Sequence, residues 1–185
     1  MKFLRDKSDI MQRARQISLL LLDVDGVLTN GQLYFDQTGE ALKAFNTLDG
    51  HGIKLLQANG IRVGIISGRK SPALTRRASA LGITLVKQGR EDKLAAMQEL
   101  LATAPYPAHE IAFMGDDLPD LPVMLFSGLA ITVPNAHQSI LDHADICTGR
   151  CGGEGAVREA ADFLLQTQNK YDAIIAASVG AGRQS

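Results

Sequence analysis

Asp23-Val24-Asp25-Gly26 ends one aliphatic run of the chain, and Gly115-Asp116-Asp117-Leu118-Pro119-Asp120 ends another. Each pattern has an ordinary structural use. Asp bonds to nearby backbone in turns, Gly accepts positive φ, and Asp before a short helix is a good cap. Together, however, they would bring up to five carboxylates to one place. Two unit charges about 4 Å apart repel by roughly 4 kcal/mol at an effective dielectric of 20, so such a cluster requires a cation. Oxygen-only ligands on an open rim suit a hard divalent ion, and magnesium fits best.

Magnesium beside a free carboxylate, a hydroxyl and a lysine is a set of groups for phosphoryl transfer. Asp23 would attack phosphorus in line and become an aspartyl phosphate. Asp25 would protonate the leaving oxygen and then take a proton from the hydrolytic water. The Ser67 hydroxyl and Lys93 would hold the phosphoryl oxygens, Lys93 also offsetting their charge. Asp116 would bind the metal, supported by Asp117 or Asp120. Arg69, beside Ser67, is a candidate for substrate contact. A Lys in the first turn of an amphipathic helix is commonly solvated surface; the surrounding motifs are what single out Lys93.

Positioning these groups requires strands that end together. Ile17 to Leu22 is a continuous aliphatic run, as in a strand buried on both faces. Further strands are expected at Ile61 to Ile66, Ile83 to Val86, Ile111 to Met114, Leu129 to Val133 and, briefly, Asp145 to Cys147. Helices are expected from Asp49 to Asn59, Pro72 to Ala80, Glu91 to Ala102, Leu121 to Phe126, near Gln138 to Leu141, and from Gly155 to Gln168. Gln32 to Phe35 and Ala41 to Phe45 flank a turn and read as a hairpin. The alternation predicts an α/β fold, a Rossmann-like parallel sheet with helices on both faces. Ligands of such sheets bind at the carboxyl ends of the strands, where Asp23/Asp25, Ser67 and Asp116/Asp117/Asp120 all fall.

The 185 residues leave room for one full domain. The 19 basic residues nearly balance the 20 acidic ones, which argues against nucleic acid as a partner. No apolar run approaches the length of a membrane span, and the charged N-terminus is unlike a signal peptide. Cys147 and Cys151 lack the second ligand pair of a zinc site and read as reduced thiols of a cytoplasmic protein.

Asp23-Val24-Asp25-Gly26-Val27-Leu28-Thr29, Ser67-Gly68-Arg69, Lys93 and Gly115-Asp116-Asp117-x-x-Asp120 resemble, in order, the four motifs of the haloacid dehalogenase-like phosphatases. The resemblance implies a magnesium ion held by Asp23, the main-chain carbonyl of Asp25, and Asp116. About 40 residues separate Asp25 from Ser67 and 26 separate Ser67 from Lys93, too few for the cap domain that many members insert. The chain is thus similar to the capless branch that acts on sugar-acid phosphates. A hairpin flap at about 30–46, the segment Asp49-Gly50-His51-Gly52-Ile53-Lys54, and Gly152-Gly153-x-Gly155-Ala156-Val157-Arg158-Glu159 look like further signatures of that branch. They imply Asp49 and Arg158 as substrate contacts, although Arg158 also reads as a helix-face charge. A small phosphorylated sugar acid is the implied substrate: the eight-carbon acid of lipopolysaccharide synthesis, or alternatively a nine-carbon one. The branch also implies a homotetramer in which a neighbouring subunit closes the site. The expected organisation is one domain over residues 1–170 and a mobile tail over 171–185. A receiver module would carry its phosphorylated Asp after the third strand and its acidic pair after the first. The order here is different and favours the hydrolase, and the intact motifs argue against a non-catalytic descendant.

Overall fold

The computed structural model describes residues 1–37 and 39–181. The N-terminal half contains β1 (Lys2–Phe3), α1 (Lys7–Ala14), β2 (Leu19–Leu22), β3 (Tyr34–Asp36), β4 (Gly39–Leu42), α2 (Thr47–Ala58), β5 (Arg62–Ser67), α3 (Pro72–Ala80) and β6 (Leu85–Gln88). The C-terminal half contains α4 (Lys93–Thr103), β7 (Ile111–Met114), α5 (Leu121–Phe126), β8 (Leu129–Thr132), α6 (Gln138–Leu141), β9 (Ile146–Cys147), α7 (Ala156–Thr167) and α8 (Tyr171–Ala181). Seven strands form one sheet in the order β1-β9-β8-β7-β2-β5-β6. All neighbours are parallel except β1 on β9.

All four leucines of β2 are fully buried, because it is a central strand with helices over both faces. Leu20 and Leu22 join the core formed with α1, α2, α3 and α7, whereas Leu19 and Leu21 join the one formed with α4, α5 and α6. Each such side chain contributes about 1.5–3 kcal/mol by leaving water. The chain runs from β2 outward through β5 and β6, then returns to β7 on the other side of β2. That reversal opens a crevice at the carboxyl end of β2.

Helix starts on the rim are set by local chemistry. Ser71 caps α3, with Pro72 in its first turn, and Asp92 caps α4 by accepting from the Ala95 N–H at 2.9 Å. The Asp92 cap fixes Lys93 as the first residue of α4. Among the described residues, no helix is long and apolar enough to cross a membrane.

Three features depart from the sequence expectation. The first 14 residues carry β1 and α1, where no element was expected. Charge hides the helical pattern there, yet Ile10 and Ala14 are fully buried and Arg13 pairs with Asp145 at 2.7 Å. The antiparallel β1 makes the sheet mixed rather than wholly parallel. Finally, the segment expected as a tail is helical from Tyr171 to Ala181, with Tyr171 and Ile174 against the core. Its Ala- and Ile-rich sequence explains the helix; residues 182–185 lie outside the described residues. The hairpin β3–β4 forms within the expected flap as a separate two-stranded sheet.

Candidate active site

Asp23 directly follows β2, and its backbone N–H donates to the Met114 carbonyl at 2.9 Å, extending the β2–β7 ladder to the rim. Its side chain meets Lys93 Nζ at 2.6 Å through Oδ1. Asp120 Oδ1 accepts from the same ammonium at 2.5 Å. Asp120 Oδ2 accepts from the backbone N–H groups of Asp116 and Asp117 at 3.0 and 3.2 Å. Both Asp120 oxygens are therefore occupied by protein donors.

Asp116 differs. Its Oδ1 is buried without a hydrogen-bond partner, and its carboxylate lies against Gly26, where a Cβ would fall 2.0 Å from Oδ2. Gly26 also has φ +98°, so both space and backbone demand glycine there. Ligand oxygens of Asp23, Asp116 and Asp120 lie within 4.8 Å of one another. Burial, then the charge of Asp120, raises the Asp23 carboxyl to about 7 despite Lys93. Burial, then the charges of Asp23 and Asp120, raises Asp116 to about 8. Burial works against the Lys93 ammonium, but Asp23 and Asp120 outweigh it and raise its pKa.

Once ionised, three carboxylates against one ammonium leave excess negative charge, and one buried Asp116 oxygen has no donor. Such a hard oxygen site fits a divalent cation. Asp116 and Asp23 would supply side-chain oxygens, and Asp120 would act as the bracket that fixes Lys93 and the Asp116 loop.

The other expected residues divide into two groups. Asp25 and Arg69 line the same cavity of about 580 Å³ as Asp23, Lys93, Asp116 and Asp117. Asp117 is an exposed cap that accepts from the Leu118 N–H at 2.8 Å. Ser67 ends β5 on the same rim, buried, with its Oγ accepting from the Arg69 N–H at 3.3 Å.

Asp49 and Arg158, in contrast, do not line this cavity. Asp49 is 1% exposed and accepts from the Arg158 N–H at 2.8 Å, capping α7 from the neighbouring α2. Burial raises its carboxyl, as expected of a side chain used for packing one helix on another. The Arg158 side chain pairs with Asp162 at 2.8 Å and lines a separate cavity of about 540 Å³. The glycine signature before α7 has a structural use as well. Gly153 N–H donates to the Val27 carbonyl at 3.0 Å, and a Cβ on Gly152 would strike the Gly26 carbonyl at 1.7 Å, so this loop braces the segment after Asp25.

Sequence reasoning missed Lys43. From the end of the hairpin its ammonium donates to Asp25 Oδ1 and lies 3.2 Å from Glu40. No spacing rule marks a lone Lys at a hairpin end, and the pairing across 18 residues exists only once the flap folds over the rim.

A family model described as haloacid dehalogenase-like hydrolase matches residues 86–160. The chain is 46% identical over 171 residues to the 3-deoxy-D-manno-octulosonate 8-phosphate phosphatase of Yersinia pestis, covering 92% of this chain and 91% of that one. The crystal structure of the Yersinia pestis phosphatase superposes with a TM-score of 0.86 at 48% identity, covering 89% of each chain. The 3-deoxy-D-manno-octulosonate 8-phosphate phosphatase of Moraxella catarrhalis, solved in complex with a magnesium ion, a phosphate ion and KDO, superposes with a TM-score of 0.90 at 40% identity, covering 93% of this chain and 99% of that one. With the fold, the motif order and these similarities in agreement, the chain belongs to the 3-deoxy-D-manno-octulosonate 8-phosphate phosphatases of the haloacid dehalogenase-like hydrolase family.

Proposed function

We propose that this protein is a magnesium-dependent phosphomonoesterase that hydrolyses 3-deoxy-D-manno-octulosonate 8-phosphate to the free sugar acid and inorganic phosphate, a step of lipopolysaccharide precursor synthesis. The observation that carries the reading is the convergence of Asp23, Asp116 and Asp120 on Lys93, with one Asp116 oxygen left without a donor. Magnesium, when bound, neutralises the carboxylates and polarises the phosphoryl group.

The chain's own groups carry the chemistry. An Asp23 oxygen forms a bond to phosphorus as the ester P–O bond breaks, and Asp25 delivers a proton to the departing sugar oxygen. Asp25 then takes a proton from water as that water attacks the aspartyl phosphate, releasing inorganic phosphate and restoring Asp23. Lys93 offsets phosphoryl charge, and the Ser67 hydroxyl donates to a phosphoryl oxygen. Arg69, half-exposed at the cavity mouth, suits the carboxylate of the sugar acid.

A homotetramer completes the reading. The hairpin exposes Phe35 (61%) and Leu42 (52%), apolar area that a neighbouring copy would cover while closing the cavity. The two unpaired cysteines support a cytoplasmic location.

The test is phosphate release from 3-deoxy-D-manno-octulosonate 8-phosphate with magnesium and with EDTA. Rapid, magnesium-dependent release is expected. Faster release from a nine-carbon sugar-acid phosphate would keep the chemistry and replace the substrate. No release from either would remove the proposal.

A further inference from the structure

The hairpin reaches the chemistry through one side chain. Lys43 is 2% exposed at its side chain and meets two carboxylates, Asp25 through Oδ1 and Glu40 through Oε2 at 3.2 Å. Glu40 in turn accepts from the Ser71 hydroxyl at 2.6 Å, and Ser71 caps α3. A chain of polar contacts thus runs from the loop after β2, through the hairpin, to the start of α3. A desolvated ammonium is held in place by its partners, since leaving either carboxylate unpaired is costly.

The two Asp25 oxygens are treated differently. Oδ1 is taken by Lys43, whereas Oδ2 lies 3.9 Å from Arg69 Nε, beyond hydrogen-bond distance. Asp25 also lines the cavity. Oδ1 is therefore clamped by the hairpin, and Oδ2 is the oxygen that the hairpin does not hold.

We propose that Lys43 is a positioning residue for proton transfer by Asp25, so that the acid is aligned only while the hairpin is seated on the rim. The inference rests on the proton-transfer role given to Asp25 above. A side chain that serves only to anchor the hairpin would affect all substrates alike. One that aligns the acid matters most when the leaving group needs a proton. Sugar alkoxide needs one; p-nitrophenolate departs without it. Because kcat/KM reports steps up to cleavage of the ester, it isolates this difference from the later attack of water.

The experiment compares kcat/KM for 3-deoxy-D-manno-octulosonate 8-phosphate and p-nitrophenyl phosphate in the full-length, magnesium-loaded protein and its Lys43→Met, Lys43→Arg and Asp25→Asn variants. Lys43→Met is expected to lose about 10–100-fold on the sugar-acid phosphate and less than about 3-fold on p-nitrophenyl phosphate. Lys43→Arg, which keeps a donor, is expected to recover most of the loss. The p-nitrophenyl phosphate kcat/KM of the two Lys43 variants also reports that fold and nucleophile are intact. Equal losses on both substrates, or no loss on the sugar-acid phosphate, would overturn the positioning role. Full sugar-acid phosphatase activity in Asp25→Asn would instead remove the underlying proton-transfer reading, and the role of Lys43 with it. An impaired Asp25→Asn beside an unaffected Lys43→Met would remove only the inference drawn here.

Discussion

At the rim, Asp23, Asp116 and Asp120 crowd one buried ammonium, and an Asp116 oxygen has no donor. On the hairpin above it, Phe35 and Leu42 face outward, while Lys43 and Glu40 turn toward the rim, where Lys43 meets Asp25 and Glu40 meets Ser71. The rim is thus rigidly placed by buried strand ends and electrostatically incomplete, whereas the hairpin is locally satisfied and apolar on its outer side. The rim suits a hard divalent cation, and the outer side of the hairpin suits an apolar surface.

Removing the attacking oxygen should have the largest effect. Asp23→Asn is expected to lower phosphate release by at least about 10³-fold with the fold retained, as read by circular dichroism alongside the assay. Next is Lys93→Met, which leaves Asp23 and Asp120 buried without their shared partner. It should destabilise the metal-free protein by about 3–5 kcal/mol in urea titration, and magnesium should restore part of the loss. A substitution at this position without cost would contradict the account of the rim.

A smaller effect is expected from pH. Asp23 and Asp116 have carboxyls raised to about 7 and about 8 in the folded protein, so the folded state keeps protons that the unfolded chain has already released. Their contribution therefore favours folding at the acid end and is lost as pH rises from the ordinary carboxylate range toward 8. Without metal, stability should fall between pH 6 and 8 by on the order of 2–4 kcal/mol. Magnesium should flatten the curve and stabilise more at pH 8 than at pH 6, because binding requires the ionised carboxylates. The urea midpoint at each pH checks this. The smallest effect on folding should come from Phe35→Ser: within about 0.5 kcal/mol of the parent subunit, but with a shift to smaller species by light scattering if the hairpin buries that ring between copies.

The same contrast decides what was legible from sequence. The buried strands are unbroken aliphatic runs ending in Asp, Ser or Gly-Asp-Asp, so the sheet was legible before any coordinates, as was the gathering of Asp23, Asp25, Asp116 and Lys93 in one cavity. Asp117 or Asp120 was expected as support for the metal ligand; Asp120 has both oxygens used by protein donors, whereas Asp117 is an exposed cap. Long-range side-chain pairings were less accessible. The same residue types serve as caps and as ligands, so the bond from the Arg158 N–H to Asp49, a helix cap from across an interface, could not be read from sequence. Lys43 carried no signal because its partner is set by where a hairpin folds. The short β1 and the charged α1 lacked the periodicity that announces an element.

The central claim is that Asp23 carries the phosphoryl group between substrate and water. It is tested most directly by mixing the magnesium-loaded protein with 3-deoxy-D-manno-octulosonate 8-phosphate, quenching in acid within the first turnover, and locating any phosphoryl adduct by peptide mass spectrometry. The account predicts an acid-stable, base-labile adduct on the peptide containing Asp23, absent from Asp23→Asn. Release of phosphate with no adduct under those conditions, or an adduct on another residue, would contradict it.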